Sequence, residues 1–326
     1  MKGGSTLGQE IQIIPIECKF GPTSAYAYYI DAPEPALIDT GIASSVSQEI
    51  KEVLEQHGKC VEDIRWILLT HGHVDHLGGA YALWEKTAKQ AKVVISKKEA
   101  YLLKDRAKHL DDYKVLQGKY LSDEVQQKHR DILMQDIGDN IPTVIEVEHG
   151  SKITLGDDIF LTVIETPGHS LGSVTFVLDE QKWAFAADAV QIYGGAKSGI
   201  PTIEEPVLYR QSIQYLLEEV KPTRLYLGHH FRDASGNIAS NQLDGENVVE
   251  ALEACLDMDE KISVIVQEFV QSGEQKDEGR YRPFTSIAEK LGYTGDPTIL
   301  PCAFYVTVGG YYEKLIKNVG KGGTVQ

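Results

Sequence analysis

Residues 68–79 read LLTHGHVDHLGG. An apolar run stops at a threonine, and His71, His73, Asp75 and His76 follow at once. The run is continuous with IRWILLT (64–70), the pattern of a strand buried on both faces. Three imidazoles and a carboxylate cannot be buried beside such a strand without partners. They belong at a strand end, on the rim of a sheet, where other strand ends bring further donors. That requirement restricts the chain to a sheet-centred fold whose functional loops converge.

The rest of the sequence supplies those ends. IQIIPIE (11–17), SAYAYYI (24–30) and PALIDTG (35–41) read as three short strands joined by turns. SSVSQEIKEVLEQHG (44–58) places Val46, Ile50, Val53 and Leu54 on one helical face, with Gly58 as its stop. LGGAYALWEKTAKQ (77–90) reads as a helix and KVVIS (92–96) as the next strand. This βαβ rhythm breaks at residue 97, and the charged stretch from about 97 to 140 predicts an insertion of two or three helices. Strand patterns resume with TVIEVEHG, DDIFLTVIETPGH and a hairpin over 173–190. A helix over 206–222 and a strand over 223–230 follow. From about residue 245 the pattern is helical only, with four candidate helices.

Composition removes several functional classes. The formal net charge of −16 repels polyanions, and no basic run offsets it, which excludes nucleic acid as a partner. No segment reaches 18 consecutive apolar residues and the first residues hold no signal-like apolar core. The expectation is a cytoplasmic protein with no membrane partner. Cys18, Cys60, Cys255 and Cys302 are scattered with no CxxC pair, so neither a thiolate zinc site nor a disulfide framework is expected.

Further donors close other strand-like runs: His169 in TPGHS, Asp188 in FAADAV and His229 in LGHH. Imidazole and carboxylate suit zinc, iron and manganese better than calcium or magnesium. Five histidines and two aspartates exceed the needs of one tetrahedral ion. They match two ions that share a carboxylate and a hydroxide, an arrangement that activates water and stabilises a developing oxyanion.

THGHVDH has the HxHxDH form and resembles the metallo-β-lactamase superfamily. LIDTG (37–41), TPGHS, AADAV and LGHH resemble its other blocks, in the same order, over roughly residues 11–244. The resemblance implies an α/β (α+β) fold, a four-layer αββα sandwich. The helical insertion would lie within a domain of residues 1–244, and a C-terminal helical extension, 245–326, would cover the active-site edge. It implies that His71, His73 and His169 bind one ion and Asp75, His76 and His229 a second, with Asp188 bridging. Asp39 would orient a ligand histidine, and Asp75 would also relay a proton. The cofactors would be two divalent ions, zinc first, with iron or manganese as alternatives.

The function implied is hydrolysis of a small-molecule ester, thioester or lactone by a metal-bridging hydroxide. Tyr193, Tyr209 and Phe231 are the candidate pocket walls. The resemblance does not extend to every subgroup. Glyoxalase II enzymes carry a GCGR-like stretch where this chain has DAVQIYGGAKSGI (188–200). Acyl-homoserine lactonases carry a tyrosine where this chain has Gln191. Two other readings stand beside the hydrolase: a mononuclear iron enzyme like the persulfide dioxygenases, and a regulatory or binding protein with vestigial activity. The C-terminal helices serve equally as a lid or as a homodimer interface.

Overall fold

A computed structural model of the chain describes residues 11–195, 199–273, 278–300 and 302–319. Among these residues two six-stranded sheets form. The first holds β1 (Gln12–Phe20), β2 (Thr23–Asp31), β3 (Ala36–Ile38), β4 (Trp66–Leu68), β5 (Lys92–Ser96) and β6 (Ile145–Val147), side by side in chain order. The second holds β7 (Lys152–Thr154), β8 (Phe160–Glu165), β9 (Val174–Leu178), β10 (Trp183–Ala187), β11 (Arg224–Leu227) and β12 (Gln242–Asp244), again in order.

Alternation along the strands explains the layering. In β2, Tyr28 and Ile30 face the space between the sheets, while Ala27 and Tyr29 face the opposite side. In β4, Trp66 and Leu68 point inward and Ile67 outward. In the second sheet, Val174, Phe176, Leu178, Phe185 and Tyr226 fill the same inner layer, and Val177, Ala184 and Leu225 point out. Successive side chains point to opposite faces of a strand, so each sheet presents two apolar faces and both must be covered.

Helices cover them. α1 (Lys51–Gln56), α2 (Val74–Leu77) and α3 (Ala80–Lys86) lie in the crossovers between the parallel pairs β3–β4 and β4–β5. α4 (Ala100–Lys104), α5 (Lys108–Val115) and α6 (Asp123–Asp136) form the charged stretch that begins at residue 97. That stretch is itself a crossover, since β5 and β6 are parallel neighbours. It buries Leu102, Leu103, Tyr113 and Leu133 in the outer core of the first sheet. α7 (Pro206–Tyr215), α8 (Glu246–Ser272), α9 (Thr285–Leu291) and α10 (Ala303–Val319) share one core with the outer face of the second sheet. The fold is thus a four-layer αββα sandwich. No described helix is long and apolar enough to cross a membrane.

One expectation fails here. The sequence suggests two helices over 245–272, and the structure has one, α8, of 27 residues. No glycine or proline interrupts it before Gly273, and its buried stripe continues through Val248, Leu252, Cys255, Met258, Ile262, Val266 and Phe269. The charges that suggest a break are accommodated. Asp259 is buried, 2.6 Å from Arg210 Nε of α7, and accepts a hydrogen bond from Tyr311 of α10.

Leu68, fully buried between the sheets, is the sharpest test of this core. Leu68→Ala is expected to lower the unfolding free energy by about 2–5 kcal/mol. Val264→Ala, on the exposed face of α8, should change it by no more than ~0.5 kcal/mol. Urea denaturation of the two variants checks the contrast, and equal values would refute it.

Candidate metal centre

Seven side chains meet at one rim of the sandwich, each on a segment that follows a strand. His71 and His73 follow β4, and Asp75 and His76 lie on α2 directly after them. His169 follows β8, Asp188 is the residue after β10, and His229 is the second after β11. The first sheet therefore presents four of the donors and the second sheet three. Two strand exits at this rim are strained. Asp39, the residue after β3, has φ +58°, and Ala187, before Asp188, has φ +43°. Such conformations cost about 1–3 kcal/mol and persist where surrounding structure enforces them.

The donor atoms lie within bonding reach of a common ion. His71, His73 and His169 form one such group, Asp75, His76 and His229 another, and His71, His76 and Asp188 a third. His169 Nε2 is 2.8 Å from His73 Nδ1 and 3.1 Å from His71 Nε2. His229 Nε2 is 3.2 Å from His76 Nε2 and 3.4 Å from Asp75 Oδ2. Asp188 stands between the groups: its Oδ2 is 3.2 Å from His229 Nε2 and 3.5 Å from His169 Nε2.

Hydrogen bonds behind the imidazoles decide which nitrogens face inward. His76 Nδ1 donates to Asp39 Oδ2 at 2.8 Å. His229 Nδ1 donates to the Ser24 carbonyl at 2.6 Å, and His169 Nδ1 to the Thr202 carbonyl at 2.8 Å. His73 Nε2 donates to Glu204 Oε1 at 3.1 Å. The Thr70 hydroxyl donates to Asp39 Oδ2 at 2.8 Å, so it accepts from His71 Nδ1 at 3.0 Å. Each outer nitrogen carries its proton, which leaves five bare nitrogens aimed at the carboxylates of Asp75 and Asp188 and at one another. Asp188 Oδ1 is buried with no hydrogen-bond partner. A crowd of lone pairs of this kind is stable around cations. The residues present therefore fit divalent metal ions.

Without metal the electrostatics keep some of these inner nitrogens bare and favour protons on others. Burial holds His71 well below the ordinary imidazole range and His169 at about 3. Burial pushes His73 down too, but the hydrogen bond and charge of Glu204 outweigh it and lift His73 to about 9. His229 rises to about 10 because Asp188 overcomes the same burial penalty. The cluster draws positive charge, and protons and metal ions compete for it. Gly228 is required beside it, since a Cβ there would stand 2.0 Å from Asp188 Oδ1.

A cavity of about 460 Å³ opens next to His73 and Asp75. Its walls come from α4 to α6, from Ser170 and Leu171, from Thr202 to Glu205, and from α10. Tyr193, Tyr209 and Phe231 are not among the residues lining this cavity. Tyr209 and Phe231 are buried in the core beneath α7 and α8, with the Phe231 ring against His229 at 5.6 Å. The loop after Asp188 turns toward α8, where the Ile192 amide donates to Cys255 Sγ, and carries Tyr193 away from the cavity. His230 also turns outward, to Glu17 and Tyr26. Gln191, marked in the sequence only by the tyrosine it replaces, donates to the carbonyls of Asp188 and Thr202, and Glu204 is a neighbour of the ring that the sequence does not single out. Glu204 sits on an irregular segment that no spacing marks.

Comparison with known proteins bears on the same residues. The metallo-beta-lactamase superfamily profile matches residues 20–229. A metallo-beta-lactamase family protein from Thermus thermophilus superposes with a TM-score of 0.66 at 16% identity, covering 94% of each chain. A beta-lactamase domain protein from Burkholderia ambifaria gives 0.67 at 13%, covering 95% of this chain and 88% of that one. Both establish the fold. The Bacillus subtilis (strain 168) protein YobT is 34% identical over 163 residues, 50% of this chain and 60% of that one. A hydroxyacylglutathione hydrolase from Rhodopseudomonas palustris (strain BisB18) is 29% identical over 211 residues, 64% of this chain. The chain spans 60% of the length of each of these two relatives. The profile match covers more than half of the chain and contains all seven converging side chains, so the chain belongs to the metallo-beta-lactamase superfamily.

Proposed function

We propose that the chain is a metal-dependent hydrolase of a small ester, thioester or lactone whose acyl part is largely apolar. The observation that carries this reading is the ring of inward-facing bare nitrogens and carboxylate oxygens beside an open cavity. His71, His73 and His169 would hold one ion, Asp75, His76 and His229 a second, and Asp188 would join them. Two divalent ions there, zinc first and iron or manganese as alternatives for the same donors, would supply a nucleophilic water and polarise the substrate carbonyl.

The chain's own groups do the rest. Asp75 both belongs to the donor cluster and lines the cavity, which supports it as the carboxylate that would take a proton from the attacking water. Asp39 holds His76 directly and His71 through Thr70. Leu102, Tyr113, Leu116, Leu133, Leu171 and Val306 give the cavity apolar walls for an acyl group. Among the described residues lining it, the lysines are Lys98 and Lys119. Lys98 is paired with Glu165 at 2.9 Å, and Lys119 with Glu313. Relatives named hydroxyacylglutathione hydrolase favour a thioester. Glutathione carries two carboxylates, however, and these walls offer them no uncommitted cation. An uncharged leaving group fits better.

Elemental analysis of the purified protein is expected to find two divalent ions per chain, and a single iron would favour the dioxygenase alternative. Stripping the ions with a chelator should lower the melting temperature, and zinc should restore it. The loss corresponds to about 3 kcal/mol when free metal stands near 100 times its Kd. Asp188→Ala should lower kcat/KM on an aryl ester by about three orders of magnitude, the equivalent of several kcal/mol of lost transition-state stabilisation. An unchanged rate would sink the catalytic assignment. Among thioesters, a medium-chain acyl thioester of a neutral thiol should be cleaved faster than an acylglutathione, and the reverse order would overturn the substrate reading.

A further inference from the structure

The segment over residues 199–205 lies between the donor cluster and α10 and grips both. On the metal side it holds two of the three histidines of one group from behind. The Glu204 carboxylate accepts from His73 Nε2, and the Thr202 carbonyl accepts from His169 Nδ1. The amides of Glu204 and Glu205 both donate to the Gly168 carbonyl at 2.9 Å, next to His169. Gln191 locks the same segment, accepting from the Thr202 amide and donating to the Thr202 carbonyl, each at 2.8 Å.

On the other side, α10 holds the segment with a single stripe. The Thr307 hydroxyl is buried; it accepts from the Ile203 amide at 2.8 Å and donates to the Pro201 carbonyl at 2.7 Å. At position 310 the helix comes so close that a Cβ would meet the Glu204 carbonyl oxygen at 2.8 Å, and glycine is there. Lys314 pairs with Glu205 at 2.9 Å. Positions 307, 310 and 314 are spaced by three and four residues, one face of a helix. The remaining group is supported elsewhere: His76 by Asp39 after β3, and His229 by the Ser24 carbonyl of β2.

We propose that α10 acts through Thr307, Gly310 and Glu204 as the positioning element for the His71, His73 and His169 half of the centre. It sets that half's ion affinity and leaves the Asp75, His76 and His229 half unaffected. Glu204 orients the His73 ring so that Nδ1 faces the ring of donors, and Thr307 fixes Glu204 by fixing its backbone. This inference rests on the two-ion reading given above. Val306, Gly309 and Glu313, on the adjoining face of α10, line the cavity. The helix that touches a bound substrate is therefore the helix that braces one half of the metal centre.

The test is a chelator titration of zinc-loaded protein with metal content read per chain. Wild type is expected to bind two zinc ions. Glu204→Ala and Thr307→Val should each release one zinc at about 10- to 100-fold lower chelator concentration, the usual effect of removing a partner behind a ligand. Their second zinc should leave as in wild type. Thr307→Val leaves the Ile203 amide buried without an acceptor, whereas Thr307→Ser keeps the hydroxyl and should restore the wild-type profile. Circular dichroism confirms that the variants fold, and Glu204, which is not part of the apolar core, keeps the test available should Thr307→Val fail to fold. Unchanged profiles in both variants, or equal loss of both ions, overturn the inference. A wild-type protein that never holds two zinc ions overturns the two-ion reading itself, a distinct result.

Discussion

The structure depends on an electrostatic constraint: five imidazole lone pairs and two carboxylates must be held facing one another. Nothing in the donors themselves keeps them there. What keeps them is the acceptor behind each ring, and those acceptors come from separate parts of the fold. Asp39 serves His76 and, through Thr70, His71; Ser24 serves His229; Thr202 and Glu204 serve His169 and His73. Strand ends, a crossover helix and an irregular segment all contribute to fixing this rim. The left-handed backbone at Asp39 and Ala187 marks where the rest of the fold holds the chain against its local preference.

The sequence carries the layers clearly because the strands are buried on both faces or alternate strictly. Val174, Phe176 and Leu178 against Val177 already describe a strand between two cores. The seven converging donors are equally legible, because each follows an apolar run and lies in a short motif. Groups recruited by tertiary approach leave no such trace. Glu204 has no periodic neighbours and becomes meaningful only when Gly310 lets α10 press on its backbone. Tyr193, Tyr209 and Phe231 are aromatic and near the motifs in sequence, but nearness does not say on which side of a sheet a loop leaves. The unbroken α8 was hidden for a related reason: Asp259 reads as a surface charge until Arg210 and Tyr311 are beside it.

Each addition to the sandwich has more than one task. The crossover over α4 to α6 completes the first sheet's outer core and at the same time walls the cavity with Leu102, Tyr113 and Leu133. The helices after β12 complete the second sheet's outer core, and one of them, α10, supplies the opposite wall. The cavity is bounded by the two segments that differ most from a bare sandwich. Changes on the α4 to α6 side would alter what is bound, whereas changes on α10 also reach the segment behind His73 and His169.

The division of the donors between the sheets has a consequence for the chain as a polymer. His71 and His169 are 98 residues apart, and His76 and His229 are 153 apart. Ions shared by these pairs would tie together parts of the chain far apart in sequence, in a protein whose described cysteines are all free. Such ions bind the assembled ring and not the unfolded chain, so they would stabilise the folded state by mass action. A metal centre at this rim would then also be a clasp between the two sheets. It would limit how far the two sheets can part beside the cavity.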